Sequence, residues 1–224
     1  MDKQTFSCIE NYMLTCMNDG AHDEQHIYRV LYSALDIASE YTVDMDVLIA
    51  ASLLHDIGRE AQFRDLKIDH AIVGSEMAYE YMKSLKWSEE KAHHVKDSIR
   101  THRFRKNEEP TSVEAKILFD ADKLDVTGTL GIARTIAYKG IVSEPLYSID
   151  EFGNVLDGSN DSAASFFQEY NFKLKNVYEK FYTNRAKIIA EERRKASIAF
   201  YQSMLNEVKA IHIIGKERLE SVFE

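Results

Sequence analysis

Only two prolines, Pro110 and Pro145, interrupt the 224 residues of this chain. Proline removes a backbone donor and clashes with the preceding helical turn, so their scarcity permits long helices. Nine glycines add few breaks. Between these breaks the apolar residues recur at three and four rather than at two, the period of helices rather than strands. The spacing predicts an all-α fold.

A first helix is expected to close over Asn11 to Met17, before Asn18-Asp19-Gly20, and a second to run from His22 to Tyr41 with Ile27, Val30, Leu31, Leu35 and Ile37 or Ala38 as its apolar stripe. A third, Asp44 to Asp56, carries Val47-Leu48-Ile49-Ala50-Ala51-Ser52-Leu53-Leu54, apolar nearly all round as a central buried helix is, and Gly58 reads as its C′ residue. Further helices are read over Asp69 to Leu85 and over Ser88 to His102, with Ser88 as N-cap. Thr111-Ser112-Val113-Glu114 has the form of a capping box opening a helix that reaches Asp125. Gly128 and Gly131 then loosen the chain. The segment from Gly140 to Asn160, with Pro145, Gly153 and Gly158, reads as the long irregular stretch, a lid or a connector. From Asp161 the pattern is helical again, with Phe166, Phe167, Tyr170, Phe172 and Phe181 expected to pack back on the bundle.

Charge narrows the range of partners. A net charge of -9 disfavours a nucleic-acid polymer, whose binding needs Lys and Arg to displace condensed counterions. A small phosphorylated metabolite remains compatible, because a local basic site can sit in an acidic protein. Cys8 and Cys16, on one helix, stand roughly 12 Å apart at helical rise, too far for a disulfide. With unpaired cysteines, no apolar h-region after Met1-Asp2-Lys3-Gln4-Thr5 and no membrane-length apolar run, the expectation is a cytoplasmic protein with no membrane partner.

The sharpest local feature is Leu53-Leu54-His55-Asp56-Ile57-Gly58, where an ionisable pair interrupts an apolar helix near its C-terminus. Buried charge is costly unless paired or bound to metal, and a helix C-terminus favours a cation beside it. Alone, the dipeptide reads as well as a hydrogen-bonded structural pair. His26, on the preceding helix, returns close to His55 if the two helices are antiparallel. Phe119-Asp120-Ala121-Asp122-Lys123-Leu124-Asp125 brings three more carboxylates out of an apolar run.

Taken together, these residues have the order H…HD…D, and over about residues 20 to 140 the chain resembles the HD superfamily of metal-dependent phosphohydrolases. The resemblance implies an HD-domain helical bundle over 1–140. Beyond it, the irregular stretch and the helical pattern that follows predict a connector, or a lid, and C-terminal helices packing on the core over 141–224. The resemblance also implies His26, His55, Asp56 and Asp122 as metal ligands. Two imidazoles and two carboxylates suit Mn²⁺, Fe²⁺, Co²⁺, Zn²⁺ or Mg²⁺, and such an ion polarises phosphorus and brings water toward ionisation near neutral pH. His70, heading His70-Ala71-Ile72-Val73-Gly74, and His102, closing Ser98-Ile99-Arg100-Thr101-His102, are similar in order to the histidines of two-metal members. They read as second-metal or supporting ligands, against a capping His and an exposed His, so one or two ions per chain are expected.

Arg59, Arg103 and Lys123 are the preferred phosphate binders, with Arg100, Arg105 and Lys106 beside them. Glu60 reads as a general acid or base, or as a partner of Arg59. Asp125, one helical turn past Asp122, orients the water or a ligand, or is a surface carboxylate. The expected activity is hydrolysis of a phosphate ester or phosphoanhydride of a nucleotide or nucleotide-like metabolite. The rivals are an HD-type di-iron oxygenase and a non-catalytic nucleotide-sensing module. The amphipathic segment from Ala186 onward would form a homodimer face as readily as it covers the core.

Overall fold

The computed structural model describes residues 1–17, 24–103 and 108–224; His22, Arg105 and Lys106 lie outside the described residues. It divides into two compact units, Met1–Asp125 with Tyr182–Ala186, and Val126–Phe181 with Lys187–Glu224. Among the described residues there is no strand, only an isolated bridge between Ile149 and Val155. The fold is all-α, as the spacing predicts.

The first unit holds α1 (Lys3–Cys16), α2 (Glu24–Ala38), α3 (Met45–Leu54), α4 (Arg59–Arg64), α5 (His70–Ser84), α6 (Glu89–Arg100) and α7 (Val113–Leu124). Asp44 starts α3 by accepting from the Asp46 and Val47 amides at 3.1 and 3.3 Å, which satisfies donors that a helix start leaves open. Val47, Leu48, Ala50, Ala51, Ser52, Leu53 and Leu54 are all buried, and α1, α2, α5, α6 and α7 pack around them. Truncating one of these leucines to alanine costs about 2–5 kcal/mol in a core of this kind. On α2, Ile27, Val30, Leu31, Ala34, Ile37 and Ala38 form the buried stripe.

Three local expectations are corrected. α3 ends at Leu54, so His55 and Asp56 lie in the turn that follows, and Gly58 has φ −83°, not the left-handed value of a C′ cap. Gly58 instead opens α4, a short helix whose six residues lack an apolar repeat. The capping box at Thr111 does not form. Ser112 caps α7 by accepting from the Ala115 amide at 3.1 Å, and Glu114 is drawn away to the Asp44 amide at 2.7 Å and to His94 at 3.0 Å.

The second unit holds α8 (Gly128–Ile141), α9 (Phe166–Phe172), a 3₁₀ turn (Leu174–Glu179) and most of α10 (Asn184–Phe223). Gly128 and Gly131 do not loosen the chain; both belong to α8. A Cβ on Gly131 would lie 2.2 Å from the Val126 carbonyl oxygen, so the glycine serves a close approach. Phe166, Phe167 and Tyr170 form this unit's own core with Ile132, Leu174, Tyr201 and Leu205, the Tyr170 and Tyr201 rings stacked at 4.0 Å. Phe172 is 79% exposed and contributes nothing to that core. No helix among the described residues is long and apolar enough to cross a membrane.

Candidate metal centre

α2, the turn after α3, and α7 bring four side chains to one point. His26 Nε2 lies 3.3 Å from His55 Nε2, 3.5 Å from Asp56 Oδ2 and 3.3 Å from Asp122 Oδ1. His55 Nε2 lies 3.7 Å from Asp56 Oδ2 and 3.9 Å from Asp122 Oδ1. His55 is fully buried and His26 and Asp56 nearly so, whereas the Asp122 side chain keeps 23% of its surface and marks the side open to solvent. The C-terminal end of α3 adds its negative dipole end to this cluster.

A second cluster shares Asp56. Its other oxygen, Oδ1, lies 3.1 Å from His70 Nε2 and 3.7 Å from His102 Nε2. Both these nitrogens are buried without a hydrogen bond. Such an orphan is costly inside a protein and fits a position that a cation would fill, with Asp56 reaching both sites. The clusters His26–His55–Asp56 and Asp56–His70–His102 each have donor atoms close enough to hold one ion.

All four imidazoles are oriented the same way. His26 Nδ1 faces Asp125 Oδ2 at 2.7 Å, His55 Nδ1 the Ser52 carbonyl at 2.8 Å, His70 Nδ1 the Gln62 Oε1 at 2.6 Å, and His102 Nδ1 the Ile99 carbonyl at 2.6 Å. Donating Nδ1–H outward leaves each Nε2 turned inward as the ligand atom, the arrangement that supporting acceptors impose on metal-bound histidines.

The electrostatics divide the ligands. Burial disfavours charge on His26, but hydrogen bonds to Asp122, Asp125 and Asp56 outweigh it and raise its pKa to about 11. Burial dominates at His55 and His70 and lowers each to about 4. Burial also opposes ionisation of Asp56 and Asp122, yet the facing histidines hold both below the usual carboxylate range. Ahead of any ion, His55 and His70 are therefore neutral, His26 carries a proton until a cation replaces it, and Asp56 and Asp122 are ionised.

Of the other residues singled out above, Asp125 lies directly behind His26 and also accepts from Arg29 at 2.7 and 3.1 Å. Arg59 turns its Nε to Asp56 Oδ1 at 2.9 Å. Arg103 Nη1 lies 2.9 Å from His70 Nδ1. Lys123 stands over the Phe119 ring at 5.4 Å, not among the ligands. Glu60 is exposed and paired with Arg64, one helical turn along α4, rather than with Arg59 or the cluster. Asp120, the first carboxylate of its segment, is fully buried and structural. It accepts from the Thr183 amide and hydroxyl, each at 2.7 Å, and from the Tyr182 amide. Arg29 and Gln62 were not foreseen. Arg29 shares a face of α2 with His26 at three residues' spacing, a detectable signal; Gln62 has none.

The sequence profile of the HD domain family matches residues 24–127. Bacillus subtilis YpgQ, an uncharacterized protein, is 27% identical over 210 residues, which cover 91% of this chain and 93% of the relative. Among solved structures, an HD-superfamily hydrolase from Bacillus thuringiensis is 26% identical with a TM-score of 0.72, covering 93% of this chain and 98% of that one. A predicted HD superfamily hydrolase from an uncultured Thermotogales bacterium is 29% identical with a TM-score of 0.61, over 89% and 90%. The crystal structure of YpgQ in complex with ADP shares the fold, with a TM-score of 0.70 at 24% identity over 92% of this chain and 99% of that one.

Proposed function

Residues 24–127 are an HD domain, and from that premise we propose that the chain is a divalent-metal-dependent phosphohydrolase acting on a nucleotide or nucleotide-like metabolite. The observation that carries this reading is that His26 Nε2 lies 3.3–3.5 Å from His55 Nε2, Asp56 Oδ2 and Asp122 Oδ1, and His55 Nε2 3.7 and 3.9 Å from the two carboxylates. Two carboxylates and two imidazoles, His26 giving up its proton to the ion, match the charge and the softness of Mn²⁺, Fe²⁺, Co²⁺, Zn²⁺ or Mg²⁺. A divalent ion held there supplies Lewis acidity toward a phosphoryl oxygen and hydroxide near neutral pH.

The chain's own residues do the rest. Asp125 orients His26. Asp56, reaching both clusters through its two oxygens, couples them, with His70 and His102 as the remaining ligands of a second ion. Arg59 and Arg103 stand beside the second cluster and bind phosphate oxygens, a contact for which the guanidinium fork is suited. The complex of YpgQ with ADP supports a ligand of the nucleotide class. The first compact unit, Met1–Asp125 with Tyr182–Ala186, rather than the whole of 1–140, acts as the catalytic core, in a cytoplasmic protein.

The test is a nucleotide panel with Mn²⁺, Co²⁺, Mg²⁺ or Fe²⁺, with phosphate and pyrophosphate measured separately. Release of either supports the assignment and identifies the bond. Tight nucleotide binding without turnover would favour a sensing module, and two irons with oxygen uptake on an organic substrate would favour an oxygenase.

A further inference from the structure

α4 is six residues long, and its neighbours fix where its side chains point. Arg59 Nε donates to Asp56 Oδ1 at 2.9 Å and Gln62 Oε1 faces His70 Nδ1 at 2.6 Å, so the sector between these two residues looks toward the ion clusters. Glu60 and Arg64 pair with each other on the outer side. At about 100° per residue, Phe63 stands about 40° from Arg59, on the rim where the inward sector meets solvent. Phe63 is 69% exposed and makes no ring contact among the described residues. The other exposed aromatic side chain of the first unit, Tyr32, lies six residues from His26, on a different face of α2, beside Tyr28 at 6.2 Å. Of the two, Phe63 is the one that adjoins the clusters.

We propose that Phe63 is the base platform of the substrate site: a nucleotide lays its base on the Phe63 ring while its phosphates meet the Arg59 guanidinium beside Asp56. Arg59 uses Nε for Asp56, and its two terminal nitrogens have no partner among the described residues. Residues four apart on a helix are neighbours, roughly 5–6 Å between Cβ atoms, a separation that a ribose bridges between its base and its first phosphate. An apolar ring beside a guanidinium suits a ligand that is flat and apolar at one end and anionic at the other. Stacking engages the π-face that every base has and reads none of its edges. The platform therefore accepts adenine, guanine, cytosine and uracil alike, the larger purines more tightly. This role rests on the nucleotide reading above, and the test separates the two.

Calorimetry with Mn²⁺-loaded protein reads this role through two probes that resist hydrolysis: ADP with a methylene bridge between its phosphorus atoms, and methylenediphosphonate, which lacks base and ribose. Phe63→Leu keeps an apolar side chain without a π-face. It should weaken the ADP analogue about tenfold or more and leave methylenediphosphonate unchanged, while Phe63→Tyr should bind both as wild type does. In Phe63→Trp the new indole emission should be quenched by the ADP analogue and not by methylenediphosphonate; wild type, whose single tryptophan is Trp87, should respond to neither. Equal affinity of Phe63→Leu and wild type for the ADP analogue, or an equal loss for both probes, would overturn the assignment and leave hydrolysis standing wherever turnover is seen. Ring-dependent binding in a protein that turns over no nucleotide would uphold Phe63 and instead reject the hydrolase reading.

Discussion

Gly58 and Gly74 meet backbone against backbone: a Cβ on Gly58 would lie 2.6 Å from the Gly74 amide nitrogen and 2.3 Å from the His70 carbonyl oxygen. That approach lays the start of α5 on the turn carrying Asp56, and it is what brings His70 Nε2 to 3.1 Å from Asp56 Oδ1. Gly58→Ala should force the two segments apart, costing about 1–3 kcal/mol as overpacking does, and should loosen the second ion before the first. Gly74→Ala meets its nearest atom at 3.1 Å and should cost less. Urea denaturation with metal analysis checks both; equal stability of Gly58→Ala and wild type would remove the contact's importance.

Asp125 should matter through His26 rather than through substrate. It is buried, accepts from His26 Nδ1 at 2.7 Å and is itself held by Arg29. Asp125→Asn replaces one accepting oxygen by a donor, so His26 loses its fixed orientation. Mn²⁺ affinity at the first site should fall about 10–100-fold, measured by titration below the melting temperature, while the second site, which lacks His26, changes less.

The raised pKa of His26, about 11, sets a pH signature. In ion-free protein its protonated form contributes stability that is fully present below the ordinary pKa of 6.5 and is lost as pH rises toward 11. Near pH 7 the first ion must displace that proton, whereas His55 and His70, lowered to about 4, have none to lose. Calorimetry in buffers of different protonation enthalpy should therefore show about one proton released with the first ion, and affinity weakening as pH falls. Release of no proton would contradict the assignment of charge to His26.

Replacing His70 and His102 together by alanine should leave one ion per chain and remove the other, since the first cluster does not include them. Metal analysis at two-ion occupancy in this variant would return both histidines to structural roles.

The clustering of His26, His55, Asp56 and Asp122 was legible because His55, Asp56 and Asp122 are ionisable side chains at the ends of apolar helical runs and His26 lies on the helix before them. His70 and His102 were legible by order alone. Gly58 was misread because a glycine after a helix ordinarily serves as a left-handed cap, and the α5 backbone it admits, at Gly74, is a tertiary fact. Glu60 pairs with Arg64 rather than Arg59 for a similar reason: α4 starts three residues after Asp56 and turns Arg59 and Gln62 inward, which leaves Glu60 on the solvent side. Asp120 and Asp122 are two apart on α7 and so face different ways, one toward Thr183 and one toward His26; charge pattern alone does not say which is which. Gln62 carries no charge and belongs to no motif, so only its contact with His70 reveals it.

The central claim is tested most directly by Asp122→Asn, which keeps the side chain's size and removes its charge from the open side of the cluster. Phosphate and pyrophosphate release from the nucleotide panel should be measured with Mn²⁺ for wild type and variant, with circular dichroism confirming that both are folded. The account predicts turnover in wild type and its loss, by a hundredfold or more on the order of a removed ligand, in a variant of unchanged helicity. Undiminished turnover in folded Asp122→Asn would contradict it.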